Sequence, residues 1–220
     1  MKNFWRVFYL ICAVSTMVLI FLVVSLFKGD QITFTPSAGE PLDEITPSIQ
    51  SYSPIRGNST NPTVIIFSYS NYLCPACKGV DSALTEIIAK QPEVAVIWKD
   101  FPNSSLYPES VNAAVTARCA GDQKKYWEFH DRLFDNQPTL GRETYIEIAK
   151  ALELNEKKFT KCLDSQANIS FVNADYTEGT KLSIISAPTI FVNGLTHTGA
   201  LRPQELELMV KQALDALTAK

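Results

Sequence analysis

The chain has 220 residues, 46% of them hydrophobic and 20% charged, with a formal net charge of −3 and a pI near 5.5. That length suffices for a membrane segment plus one domain of about 150 to 170 residues with a real core. The near-balanced charge, with no basic cluster, excludes a nucleic-acid binder of the usual electrostatic kind, so no nucleic-acid partner is expected.

Val7 to Phe27, VFYLICAVSTMVLIFLVVSLF, is an uncharged apolar run that spans about 31 Å as a helix, the thickness of a bilayer core. It ends in the bulky Leu26 and Phe27 rather than in a small-X-small cleavage site, so residues 1–28 are expected to form an uncleaved transmembrane anchor. Lys2 and Arg6 precede the run and Lys28 alone follows closely, which places the rest of the chain on the outer, oxidising side of the cell membrane. Cys12, inside the run, reads as a small apolar residue, and Trp5 as an interfacial anchor.

Gly29 to Pro62 is rich in Pro, Ser, Thr, Gly and Asn and has no sustained period. Residues 29–48 read as a flexible linker, and a coil of its length reaches roughly 25 Å. The domain proper is expected over 49–220, with Ile49 to Tyr52 as a short edge strand and Arg56 to Asn61 as a turn.

Thr63 to Tyr69 has the apolar run of a central strand. Cys74-Pro75-Ala76-Cys77 follows, and then Val80, Leu84, Ile87 and Ile88 lie on one face of a helix. The first thiol therefore falls at a helix N-terminus, where unpaired N–H groups and the positive end of the dipole favour a thiolate. Pro75 suits the first turn because it has no N–H to leave unpaired. On this pattern Cys74 is the attacking sulfur and Cys77, one turn further in, the resolving one. Half of a zinc site has the same spacing, so a metal reading stays open at this point.

Val94 to Trp98 is a second buried strand, and the strand–helix–strand order implies a parallel crossover. From about 106 to 182 the pattern is helical. Pro108 opens a helix closed by Gly121, Asp122 is a candidate cap for the next, and Asn155 for a short fourth, with a fifth over about 169–182. Thr189 to Val192 and Leu195 to Thr198 form a hairpin about Asn193-Gly194, and Pro203 starts a terminal amphipathic helix. His130 falls on the apolar face of its helix and reads as a packed core histidine; Trp98 and Trp127 read as core, and His197 has no partner visible in the sequence.

Four motifs in this order, FSYSNYLCPACK, Lys99-Asp100-Phe101-Pro102, CAGDQKKYWEFHDRLFDNQ and APTIFVNG, resemble the extracytoplasmic DsbA-like thiol-disulfide oxidoreductases of the thioredoxin superfamily, over roughly Ser53 to Leu217. The resemblance implies an α/β thioredoxin fold with an inserted helical domain, preceded here by the anchor. It also implies that Pro188 is cis and lies against the Cys-X-X-Cys, so that Cys74, Cys77 and Pro188 carry the chemistry and Pro75, Ala76 and Ala187 meet the substrate. No cofactor or metal is implied. The partners implied are proteins with cysteine thiols and a membrane reoxidising partner of the DsbB or VKOR kind, and a monomer is expected. The chain departs from the family at Asn71, where an acidic residue is frequent, and at Ala187, where Thr or Val is frequent. Both positions bear on thiol reactivity or client contact.

Cys119 and Cys162 lie in separate helices of the insertion. In an oxidising space they most simply form a structural disulfide, worth roughly 4 kcal/mol in the chain-entropy model. Free buried thiols, or zinc ligation together with Cys74 and Cys77, are the competing readings. For the whole protein an oxidase is the first reading. A reductase or isomerase of the same fold, and a non-catalytic metal- or client-binding module, are the alternatives.

Overall fold

The computed structural model describes residues 46–218, and the expected anchor at 7–27 and most of the expected linker lie outside them. Among the described residues no helix is long and apolar enough to cross a membrane.

Five strands form one sheet in the order β1-β3-β2-β4-β5. β2 (Val64–Ser70) occupies the centre, parallel to β3 (Val94–Asp100) and antiparallel to β4 (Thr189–Val192). β5 (Leu195–Thr198) extends the sheet through a hairpin, and both of its turn residues, Asn193 (φ 43°) and Gly194 (φ 93°), have the positive φ that a type I′ turn requires. The edge strand is β1 (Ile55–Gly57), antiparallel to β3. This corrects the expectation of a strand at Ile49 to Tyr52 and a turn from Arg56. Ile55 pairs with Ile97, and Gly57 (φ 87°) passes so close to the Val94 carbonyl that a Cβ would lie 2.5 Å from its oxygen.

One face of the sheet is covered by α1 (Pro75–Lys90) and the terminal α7 (Pro203–Thr218). Val80, Leu84 and Ile87 of α1 and Leu206 and Val210 of α7 meet Ile66, Val96 and Ile190 of the strands in one buried cluster. Burying side chains of this kind contributes about 1.5–3 kcal/mol each.

Between β3 and β4 lie α2 (Ser110–Gly121), α3 (Tyr126–Asp135), a short 3-10 turn (Gln137–Thr139), α4 (Arg142–Ala151), α5 (Glu156–Asp164) and α6 (Ile169–Lys181). Asn155 caps α5, its side-chain oxygen accepting from the Lys158 N–H at 2.9 Å. Asp122 does not cap α3, whose N-cap is Lys125 with no side-chain cap bond; its carboxylate instead accepts from Asn168 at 2.9 Å, across to the segment ahead of α6. Cys119 and Cys162 are disulfide-bonded and join α2 to α5.

Charged residues hold α6 to the sheet. Lys99 is buried between Asp175 (3.3 Å) and Glu178 (2.8 Å), and Arg118 of α2 bridges Asp100 (2.6 Å) and Asp175 (2.5 Å). Ser48, at the end of the expected linker, donates its backbone N–H to Glu178 at 3.0 Å and its hydroxyl to the same oxygen. Gly179 lets α6 close onto the sheet, since a Cβ there would lie 2.7 Å from the Phe101 ring.

Candidate active site

The central strand delivers the chain to Ser70, and Asn71 turns it. The Asn71 side-chain oxygen accepts from Leu73 N–H (3.0 Å) and its carbonyl from Cys74 N–H (3.1 Å). Cys74 is the N-cap of α1, with extended backbone at φ −87° and ψ 118°, and its sulfur accepts from the Cys77 N–H at 3.2 Å. A sulfur thus stands where a Ser or Asp oxygen usually caps a helix, facing backbone donors at the positive end of the dipole.

The two thiols are strongly unlike. Cys74 is lowered from 9.0 to about 7, first by the hydrogen bond from the Cys77 side chain and then by the Cys77 and Ala76 backbone amides, with burial opposing. Cys77 is pushed far up, first by burial and then by the hydrogen bond and charge of Cys74. Cys74 is 8% exposed and Cys77 is 0% exposed, so only the sulfur with thiolate character can be reached.

Opposite the pair, the Ala187–Pro188 bond is cis and the Cys74 sulfur lies 3.6 Å from the Ala187 carbonyl oxygen, its acceptor. Antiparallel pairing of β4 with β2, which sets Tyr69 against Thr189, brings these residues together across the sheet. Pro188 is buried and Ala187 half-buried, while Pro75 is exposed and Ala76 half-buried at the rim. Beside Cys74 opens a cleft of about 680 Å³ between the 101–107 loop, α6 and the segment 184–187.

The disulfide between Cys119 and Cys162 removes both from any ligand set with Cys74 and Cys77. Asp81, His130 and Asp131 do bring donor atoms within 4.8 Å of one another. Those atoms are engaged by protein groups: Arg56 grips Asp131 with two bonds of 2.8 Å, and His130 bonds Asp81 through Nε2 and the Tyr72 hydroxyl through Nδ1, each at 2.9 Å. His130 is buried against Trp98 and Phe134, so its place is a hydrogen-bonded core.

Sequence reasoning missed Gln137. From the 3-10 turn its side-chain amide donates to two carbonyls of the active-site turn, Tyr72 at 2.7 Å and Cys74 at 3.0 Å. In the sequence it is only the last residue of a motif, and nothing local marks a glutamine as reaching 63 residues back. Replacing Gln137 with Leu is expected to cost about 1–2 kcal/mol, since two acceptors lose their donor. It is also expected to move the pH midpoint of Cys74 alkylation upward from about 7 as the cap loosens. A midpoint that stays in place would limit the glutamine to a structural role.

A family profile described as thioredoxin matches residues 50–212. The chain belongs to the thioredoxin family. It is 29% identical over 160 residues to a sodium/proton antiporter, NhaA 1, of Salinispora arenicola, a match covering 72% of this chain and 24% of that protein. The chain thus spans about a quarter of the length of such relatives. It is also 26% identical over 157 residues to disulfide bond formation protein D of Bacillus subtilis, covering 67% of this chain and 70% of the relative. Among solved structures, the catalytic domain of Proteus mirabilis ScsC superposes with a TM-score of 0.65 at 24% identity, covering 76% of this chain and 91% of that one. As a thioredoxin-family member the chain presents one reachable, acidified thiol and one buried, basic thiol under a cis-proline, an arrangement suited to exchanging a disulfide with another molecule.

Proposed function

We propose that this chain is a membrane-anchored, extracytoplasmic thiol-disulfide oxidoreductase that donates the Cys74–Cys77 disulfide to secreted or surface proteins. The observation that carries the reading is the Cys74 sulfur itself, capping a helix, lowered to about 7 and set 3.6 Å from the Ala187 carbonyl. The printed name of the Bacillus subtilis relative, a disulfide bond formation protein, supports it. The apolar run at 7–27 supports an anchor, with the domain on the oxidising side.

In the oxidised chain a client thiolate attacks the Cys74 sulfur, the Cys74–Cys77 bond breaks, and Cys77 leaves with the electron pair. Its upward-shifted pKa means that it takes up a proton at once. The client's second thiolate then attacks the client sulfur of the mixed disulfide and Cys74 departs as a thiolate, a good leaving group because its pKa is low. The client has lost two electrons and gained a disulfide, and the enzyme holds a dithiol. A membrane partner of the DsbB or VKOR kind would take those electrons onward.

Equilibrating the pair against glutathione buffers tests the donor role. The expected potential is less negative than that of thioredoxin, about −270 mV. A value at or below that figure would make the chain a reductant and sink the oxidase reading.

A further inference from the structure

His130 brackets the thiol pair. Its ring is fully enclosed, with Nδ1 2.9 Å from the Tyr72 hydroxyl and Nε2 2.9 Å from the Asp81 carboxylate. Tyr72 stands two residues before Cys74 in the active-site turn, and Asp81 lies one helical turn beyond Cys77 on α1. A single imidazole of α3 therefore bonds the chain on both flanks of the Cys-X-X-Cys. The carboxylate fixes the tautomer: Nε2 donates to Asp81, which leaves Nδ1 to accept from the Tyr72 hydroxyl.

Packing alone does not call for these two bonds. A phenyl ring at this position would fill the same aromatic cage of Trp98, Trp127 and Phe134. Tyr72 is also held at its backbone, where its carbonyl accepts from Gln137 at 2.7 Å, so the residue is fastened at both ends. The Cys74 sulfur in turn depends on backbone donors, the Cys77 N–H at 3.2 Å among them, and such a cap holds only while the turn stays in register with the helix. Each exchange cycle makes and breaks the bond between Cys74 and Cys77. A turn fastened at 72 and a helix fastened at 81 let the sulfurs part and rejoin while the cap stays in place.

We propose that His130 is a positioning residue for disulfide exchange: by holding Tyr72 and Asp81 at once it keeps the turn in register with α1 and the Cys74 sulfur on its backbone donors. The proposal rests on the thiol-exchange reading. It gives the helical insertion a part in the chemistry, since α3 belongs to the insertion and the thiols do not.

Two properties of the full chain read this clamp: the pH midpoint of Cys74 alkylation and the equilibrium constant of the thiol pair against glutathione. Tyr72→Phe cuts one arm and Asp81→Ala the other. Each is expected to raise the midpoint from about 7. Each should also make the pair about threefold to tenfold harder to reduce, the equilibrium equivalent of one hydrogen bond. Loss of the Asp81 charge by itself would lower the midpoint, so the direction separates the clamp from long-range charge. Tyr126→Phe, which removes only the 3.1 Å bond between the two tyrosine hydroxyls, should leave both properties where they are. In His130→Phe neither arm exists, so adding Tyr72→Phe or Asp81→Ala should change nothing further, as for residues that act as one unit. Shifts that add in the double variants overturn the proposal. So do arm variants that lose stability in urea yet keep the midpoint and the equilibrium constant, the behaviour of a purely structural core. Should His130→Phe not fold, the arm variants and the Tyr126 control decide the matter alone. An unaltered chain with an ordinary Cys74 midpoint and no exchange would instead sink the thiol-exchange reading, so the two failures are distinguishable.

Discussion

With Cys74 replaced by Ser the chain is expected to lose all thiol-disulfide exchange, while Cys77→Ser, whose Cys74 thiolate still attacks a disulfide-bonded client but has no neighbouring thiol to release it, accumulates mixed disulfides. The asymmetry follows from position. Cys74 caps the helix and is reachable, and Cys77 is fully enclosed, so only one sulfur can accept an incoming thiolate and only the other can resolve it. A hydroxyl in place of the Cys74 sulfur keeps the cap but neither forms nor breaks an S–S bond. Nonreducing gels of the reduced Cys77 variant mixed with a disulfide-bonded client should show a covalent adduct, formed as the Cys74 thiolate displaces one client sulfur, that dithiothreitol dissolves. Persistent exchange by Cys74→Ser would end the assignment.

The same thiol has a pH signature. Alkylation of the reduced chain should rise with pH through a midpoint of about 7, since only the thiolate reacts. The folded value lies below the ordinary 9.0, so the stabilisation that ionised Cys74 gives the reduced fold is complete above that value and is lost as the pH falls through about 7. The stability of the reduced form relative to the disulfide form should therefore grow between pH 7 and 9.

The largest effect on stability is expected from Arg118→Leu, a loss of about 3–5 kcal/mol in urea unfolding, because it leaves buried carboxylates without their partner. The guanidinium holds Asp100 and Asp175 at once and donates to the Tyr52 carbonyl at 3.3 Å. Without it, Asp100 keeps the Trp98 indole N–H at 2.7 Å, and Asp175 keeps Lys99. Asp175 already stands above the ordinary 3.8, at about 6, raised first by burial and then by the Asp100 charge, with Arg118 and Lys99 opposing. A raised carboxyl contributes stability that is complete below about 3.8 and is lost as the pH rises through about 6. The Arg118 variant should accordingly recover part of its loss as the pH is lowered from 7 towards 4, and adding Asp175→Asn should relieve it at neutral pH. A loss under about 1 kcal/mol would mean that the network relaxes around the gap.

Gln137 and the Arg118 cluster share a feature that hid them from a reading of the sequence. Gln137 reaches Cys74 across 63 residues, Lys99 and Asp175 are 76 apart, and Cys74 and Ala187 are 113 apart. The lysine and aspartate that close β3 were visible as a motif, yet nothing in the run VAVIWKD says which helix carries their counter-charges. The edge strand lies at Ile55–Gly57 rather than at the expected Ile49 to Tyr52 for a similar reason, because three residues become a strand only through the partner that pairs with them.

What the sequence determined by itself is short in range. An apolar run followed by Cys-Pro-Ala-Cys and a helical period puts a sulfur at a helix start, Asn-Gly closes a hairpin, and Asn155 starts a helix, each settled by backbone sterics and hydrogen bonds within a few residues. Only the tertiary structure decided that Cys119 meets Cys162, that α6 supplies the acids for Lys99, and that His130 bonds Tyr72 and Asp81 on either side of the thiols. Those contacts depend on closing long loops and burying whole faces together, and their free energy belongs to the assembled layers rather than to any one stretch of chain.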